Sequence, residues 1–152
     1  MTEPFNIHGD EWDGEETRAG YRQRAVALGP RLGASNLGTS LYELPPGEKS
    51  FPYHYEIGCE EWLIVVAGRP TLRDPDGERE LEPGEVVCFP DGAVGAHQVR
   101  NDSAEPVRFL VVSTKPPVAL VRYPDSGKVT LWTQSEGATI LRDEPVDYWE
   151  GE

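Results

Sequence analysis

The sequence predicts an all-β domain, a jelly roll or closed barrel. Three observations predict it. Sixteen glycines and fourteen prolines make up about a fifth of the 152 residues, and they fall between short runs rich in Val, Leu, Ile, Tyr, Phe and Trp. That is the pattern of many short strands joined by turns. Helical periodicity is scarce, and the chain shows neither βαβ alternation nor an internal repeat. Strands this numerous in one domain must close on themselves or stack as two sheets, because open edges invite aggregation.

In chain order, residues 10–24 could hold one N-terminal turn or short helix. Strands are expected at 21–28, 37–44, 51–56, 61–67, 71–73, 78–81, 86–89, 97–101, 107–113, 118–122 and 128–132, each a short run of β-branched, aromatic and aliphatic residues. The separators carry turn chemistry: Pro45-Pro46-Gly47, Asp74-Pro75-Asp76-Gly77, Glu82-Pro83-Gly84, Pro90-Asp91-Gly92 and Asn101-Asp102-Ser103. Asp76-Gly77 between two short runs signals a hairpin. The expected organisation is an acidic N-terminal extension over 1–20, a barrel over 21–122, and a C-terminal extension over 123–152 with one added strand and an acidic tail.

The net charge of −13 argues against nucleic acid and anionic membranes as partners. Residues 1–17 hold six acids and residues 143–152 hold five, with no base in either. The segment between carries 16 acids against all 14 bases, so the body is nearly neutral and the ends are acidic. Such ends read as solvated tails. Trp12, Tyr148 and Trp149 are unusual in disordered tails, so part of each end is expected to pack on the body or on a second subunit. The longest apolar run, 62–67, is far short of a membrane span. The first residues lack the apolar centre of a signal peptide. Cys59 and Cys88 form no CxxC motif, so a reducing, cytoplasmic setting is expected. Both are expected to be buried structural thiols.

The three histidines are the informative residues. His8 lies in the acidic tail and reads as exposed. In the stretch Pro52-Tyr53-His54-Tyr55-Glu56, side chains two apart share a face, so His54 and Glu56 point together. In 61–67, Glu61 shares a face with Leu63, Val65 and Ala67. If Leu63 and Val65 line the interior, Glu61 is a carboxylate aimed inward, which is costly unless paired or bound to a metal. A hairpin returning from Glu56 is expected to bring Glu61 beside His54 and Glu56. Two carboxylates and a histidine crowded in an apolar interior repel, and a divalent cation settles the repulsion. The other face of the strand, Trp62, Ile64 and Val66, needs a cover: a terminal segment or a second subunit.

These residues resemble the cupins. The first cupin motif is matched by Gly47, His54-Tyr55-Glu56, Glu61 and Gly68, the second by Gly84, Pro90-Asp91-Gly92, His97 and Asn101. Fifteen residues separate Gly68 from Gly84, the short intermotif spacing of compact microbial members. The likeness covers about residues 37–113. Two loops differ in length: six residues precede His54 where five are usual, and four separate Gly92 from His97 where two are usual. The second histidine of the His-x-His pair is replaced by Glu56.

The resemblance implies a double-stranded β-helix, a homodimer, and metal ligands at His54, Glu61 and His97, with Glu56 at the fourth ligand position. Two roles stay open for Glu56. As a ligand it makes the site of two neutral histidines, two carboxylates and M²⁺ neutral overall, suited to Mn²⁺, Fe²⁺, Zn²⁺ or Ni²⁺. Standing off the ion, it leaves a two-His, one-carboxylate face with open positions and can itself act as general base. The expected function is a small-molecule enzyme of dioxygenase or isomerase type, with substrate inside the barrel. The alternative is a non-catalytic binding or sensor barrel whose metal is structural or absent.

Overall fold

The computed structural model describes residues 2–142 and 144–151. The strands, in order, are β1 (Gly14–Glu16), β2 (Gln23–Ala27), β3 (Leu37–Leu44), β4 (Tyr55–Ile57), β5 (Glu61–Ala67), β6 (Thr71–Asp74), β7 (Gly77–Glu80), β8 (Val86–Phe89), β9 (Gln98–Arg100), β10 (Val107–Thr114), β11 (Val118–Tyr123), β12 (Lys128–Thr133) and β13 (Gly137–Arg142). A single four-residue helix, α1 (Leu28–Arg31), follows β2 among the described residues. The strands form three sheets, ordered β1-β2-β3-β10-β5-β8, β13-β12-β11-β4 and β7-β6-β9. Together they make the all-β jelly-roll barrel.

Alternation builds the interior. On β5, Leu63 and Val65 are buried, Ile64 between them is half-buried and Trp62 before them is exposed. On β10, Val107 and Phe109 point inward, and Phe109 pairs with Tyr42 on one side and Val65 on the other. These side chains meet Leu44, Leu72, Leu81, Phe89 and Val99 in one apolar cluster. Each large aliphatic side chain buried this way contributes about 1.5–3 kcal/mol. Gly68 ends β5 with φ 74°, and a Cβ there would lie 2.8 Å from the Pro106 carbonyl oxygen and from Val107. Only glycine permits that turn.

A second cluster lies outside the main sheet. Val26, Leu28 and Leu41 are buried beneath Phe5, Ile7 and Trp12, and Val66 packs there too. Arg108 straps the N-terminal segment down by donating to the Ile7 and Gly9 carbonyls at 2.9 and 2.8 Å. Trp12 lies against the Arg24 and Arg108 guanidiniums. The N-terminal segment therefore covers Val66, one member of the outward stripe of β5. Trp62 stays 47% exposed.

Several expectations are corrected. Residues 10–24 hold the expected turn, closed by the Tyr21 N–H donating to the Arg18 carbonyl, but no helix. Their acidic side chains are spent instead on arginines, Asp10 on Arg24 and Glu11 and Asp13 on Arg31. Gly14–Glu16 pairs with β2. The run 51–56 is a strand only from Tyr55, because Pro52 has no N–H to give a ladder. Strand β13 was not anticipated; its Ile140 and Leu141 are exposed, so the inside-outside contrast is weak. Cys88 is exposed, since the outer face of β8 is uncovered; Cys59 is buried as expected. His8 is exposed. Tyr148 and Trp149 pack on each other and are exposed. No helix of the described residues is long and apolar enough to cross a membrane.

Candidate metal centre

The expected hairpin does not form. Strand β4 pairs with β11, and β5 pairs with β10 and β8, so Glu56 and Glu61 come from different sheets, and His54 lies just before β4. What joins them is His97. His54 and His97 form an antiparallel bridge, with backbone N–H···O distances of 3.1 and 2.8 Å. Glu61, facing them from β5, places Oε2 3.5 Å from His97 Nε2. One ligand atom from each of His54, Glu61 and His97 lies within 4.8 Å of the others. Glu56 is not part of this tight group. It lines the same cavity and acts on Glu61 and His54 through its charge.

Local structure aims each imidazole. His54 Nδ1 lies 2.8 Å from the Pro52 carbonyl oxygen, and His97 Nδ1 lies 2.9 Å from that of Gly95. A carbonyl oxygen only accepts, so each Nδ1 carries the proton and each Nε2 keeps a lone pair. The loop that supplies the Gly95 carbonyl requires glycine. A Cβ on Gly95 would lie 2.0 Å from the Pro90 carbonyl oxygen. Asn101, fully buried, pins the end of the motif. Its Nδ2 donates to the Leu44 and Glu105 carbonyls, and its Oδ1 accepts from the Ser103 backbone N–H and hydroxyl.

The electrostatics match a cation site. Burial pushes the His97 imidazole down to about 3, helped by nearby His54, and burial lowers His54 as well. Both rings are therefore neutral donors at ordinary pH. Burial, with the charge of Glu56, pushes the Glu61 carboxyl well above the usual carboxylate range. Two lone pairs and a carboxylate converge in a buried site with no cationic side chain among its lining residues. This donor set fits a divalent transition ion.

The cavity around the group is about 260 Å³. Tyr42, Phe51, Phe89, Phe109 and Tyr123 supply ring faces to it. Sequence reasoning missed this aromatic wall. Tyr42 and Tyr123 lie on strands remote in sequence, and alternation alone does not say which inward residues meet. Cys59 lies beside the site, and its side chain hydrogen-bonds Glu56. Burial pushes its thiol up to about 12, and it donates to the Thr114 carbonyl at 3.3 Å.

Residues 40–113 match the family model described as the cupin domain. A crystal structure of a cupin-superfamily sugar phosphate isomerase from Silicibacter pomeroyi DSS-3 superposes with TM-score 0.82 at 28% identity, over 96% of this chain and 98% of that one. The barrel is a cupin domain. Auxin-binding protein 1 of Arabidopsis thaliana is 29% identical over 115 residues, 71% of this chain, and the chain spans 57% of that relative's length. A polyketide cyclase from Streptomyces resistomycificus shares the fold at TM-score 0.57 and 23% identity, over 75% of this chain and 80% of that one. The cupin barrel thus carries unrelated chemistries among these neighbours, and function must be argued from the site. In this cupin the His54, Glu61 and His97 group is the part that could hold a metal.

Proposed function

We propose that this cupin is a metal-dependent isomerase of a small hydroxycarbonyl compound bound inside the barrel. One observation carries the reading. Glu56 lines the cavity of the His54, Glu61 and His97 group without joining its tight cluster, so a second carboxylate stands beside the ligands. His54, Glu61 and His97 are the proposed ligands of one divalent ion, and Glu56 is the proposed general base. When bound, the ion would polarise the carbonyl and acidify the adjacent C–H.

Glu56 takes the proton from the carbon next to the carbonyl and returns it to the former carbonyl carbon. The hydroxyl proton crosses to the old carbonyl oxygen, and Tyr42, which lines the same cavity, is the proposed relay. No electrons leave the substrate. The likeness to a sugar phosphate isomerase at 28% identity supports an isomerase over a dioxygenase. A small-molecule partner follows from the same cavity; a homodimer and a cytoplasmic setting are proposals that rest on the resemblance and the sequence.

The test is deuterium wash-in at the α-carbon of a panel of hydroxyketones and hydroxyaldehydes, in D₂O, with the protein loaded with Mn²⁺ or Zn²⁺. Wild type should exchange the α-proton of at least one. Glu56→Gln should keep its metal and lose about 10²–10⁴-fold in exchange rate. Unchanged exchange in Glu56→Gln overturns the base assignment. Oxygen consumption in place of exchange overturns the isomerase reading in favour of a dioxygenase.

A further inference from the structure

We infer that the ligand of the barrel cavity is an unphosphorylated hydroxycarbonyl with an apolar, preferably aromatic, carbon skeleton. The inference rests on the isomerase reading for the hydroxycarbonyl and on the cavity wall for the rest. Fifteen residues line the cavity. Five offer rings other than imidazole, and Leu63, Val99, Val111 and Val121 add aliphatic surface. None is lysine or arginine. The formally charged side chains on the wall are Glu56 and Glu61, both anionic. The two histidines turn their Nε2 atoms to the cavity, because each Nδ1 donates to a backbone carbonyl.

A phosphate dianion in such a space finds no cationic side chain. Two carboxylates already offset the charge of one divalent ion, so nothing remains to balance the dianion. Burying an unpaired charge costs far more than a few ring contacts return. Lys115 lines a different cavity, which shares only Glu56 and Val121 with this one. A planar carbon skeleton does find partners, because ring faces stack with offset or edge-on geometry. The wall already uses that geometry, with Tyr42 edge-on to Phe51 at 5.4 Å between centroids. The chain thus departs from the substrate class of its sugar phosphate isomerase neighbour, although the barrels superpose.

The test compares three probes on the full chain: 2-hydroxyacetophenone, dihydroxyacetone phosphate and inorganic phosphate. Binding is read by water-proton relaxation with Mn²⁺ bound and by ligand-observed NMR on the metal-free chain. The aryl ketone should bind at least tenfold tighter than the phosphate ester, and inorganic phosphate should not compete with it. Val121→Arg puts a cation in the wall and should narrow or reverse the preference. Lys115→Ala should change neither affinity. Equal or tighter binding of the phosphate ester overturns the inference, as does failure of the aryl ketone to bind. Loss of phosphate-ester binding in Lys115→Ala also overturns it, by seating the phosphate in the second cavity. Retained aryl preference without α-proton exchange removes the isomerase reading and leaves the binding inference standing. Exchange of phosphorylated substrates alone does the reverse.

Discussion

The His97 imidazole lies flat on the Phe89 ring, with centroids 3.6 Å apart and planes 6° apart. Phe89 is also the register partner of Glu61 across β8 and β5. One aromatic ring therefore backs one proposed ligand and sits on the strand beside another. Groups that orient metal ligands are worth about 10–100-fold in affinity. Phe89→Leu keeps most of the volume but loses the flat face. We expect its Zn²⁺ affinity to fall by about tenfold or more in chelator competition, with a smaller change in urea midpoint. Unchanged affinity would show that the Gly95 carbonyl alone aims the ring.

Asn101 has every hydrogen-bonding capacity of its side chain filled inside the protein. Asn101→Ala takes a partner from the Leu44 carbonyl and the Ser103 N–H, while the Ser103 hydroxyl still donates to the Glu105 carbonyl. Each buried group left unpaired costs about 1–3 kcal/mol, less where water enters. We expect a loss of about 2–4 kcal/mol in urea unfolding, with metal affinity reduced only through the loosened turn. A loss below about 0.5 kcal/mol would mean that the turn is held by the flanking strands.

Asn101 also shows what was legible in the sequence. Its place in the motif was visible, but its work was not, because its partners Leu44 and Glu105 are identified only once the strands close. Strands 37–44, 61–67 and 86–89 fall on the expected residues, since alternation and flanking turns agree there. Glu61 was legible as a costly carboxylate on an apolar face, and His54 and His97 as ligands through the resemblance to the two cupin motifs. How they meet was not legible. A hairpin from Glu56 was the local solution, and the barrel instead closes His54 against His97 from across the fold. Local turn signals carry no information about pairing between distant strands.

Acid should weaken the metal-free protein. His54 and His97 stay neutral when folded, yet both take a proton near pH 6.5 when unfolded. The unfolded chain thus binds more protons between about pH 6.5 and the lowered folded values. Stability present above about 6.5 is lost as pH falls, at up to about 1.4 kcal/mol per pH unit for each histidine. Glu61 opposes this, since its raised folded value makes the native state the better proton binder above about 4.5. His97 offsets Glu61 below pH 6.5, and the lowered His54 adds to it, so the net slope is positive. Urea midpoints of chelator-treated protein should rise from pH 4.5 to 6.5, and should rise less in His97→Gln.

Above neutral pH the Glu61 effect stands alone. An inward carboxylate held beside Glu56 without a cation penalises the metal-free fold once it ionises. Glu61→Gln removes that charge at nearly constant volume. The metal-free variant should therefore be more stable than metal-free wild type at pH 8, and the difference should shrink towards pH 5. With saturating Zn²⁺ the order should invert, because ligation stabilises only the folded chain that keeps its carboxylate. Thermal unfolding of both proteins, with metal and with chelator at the two pH values, gives all four comparisons. If wild type is the more stable protein at pH 8 without metal, Glu61 is already satisfied within the fold, and the electrostatic argument for a cation in this barrel fails.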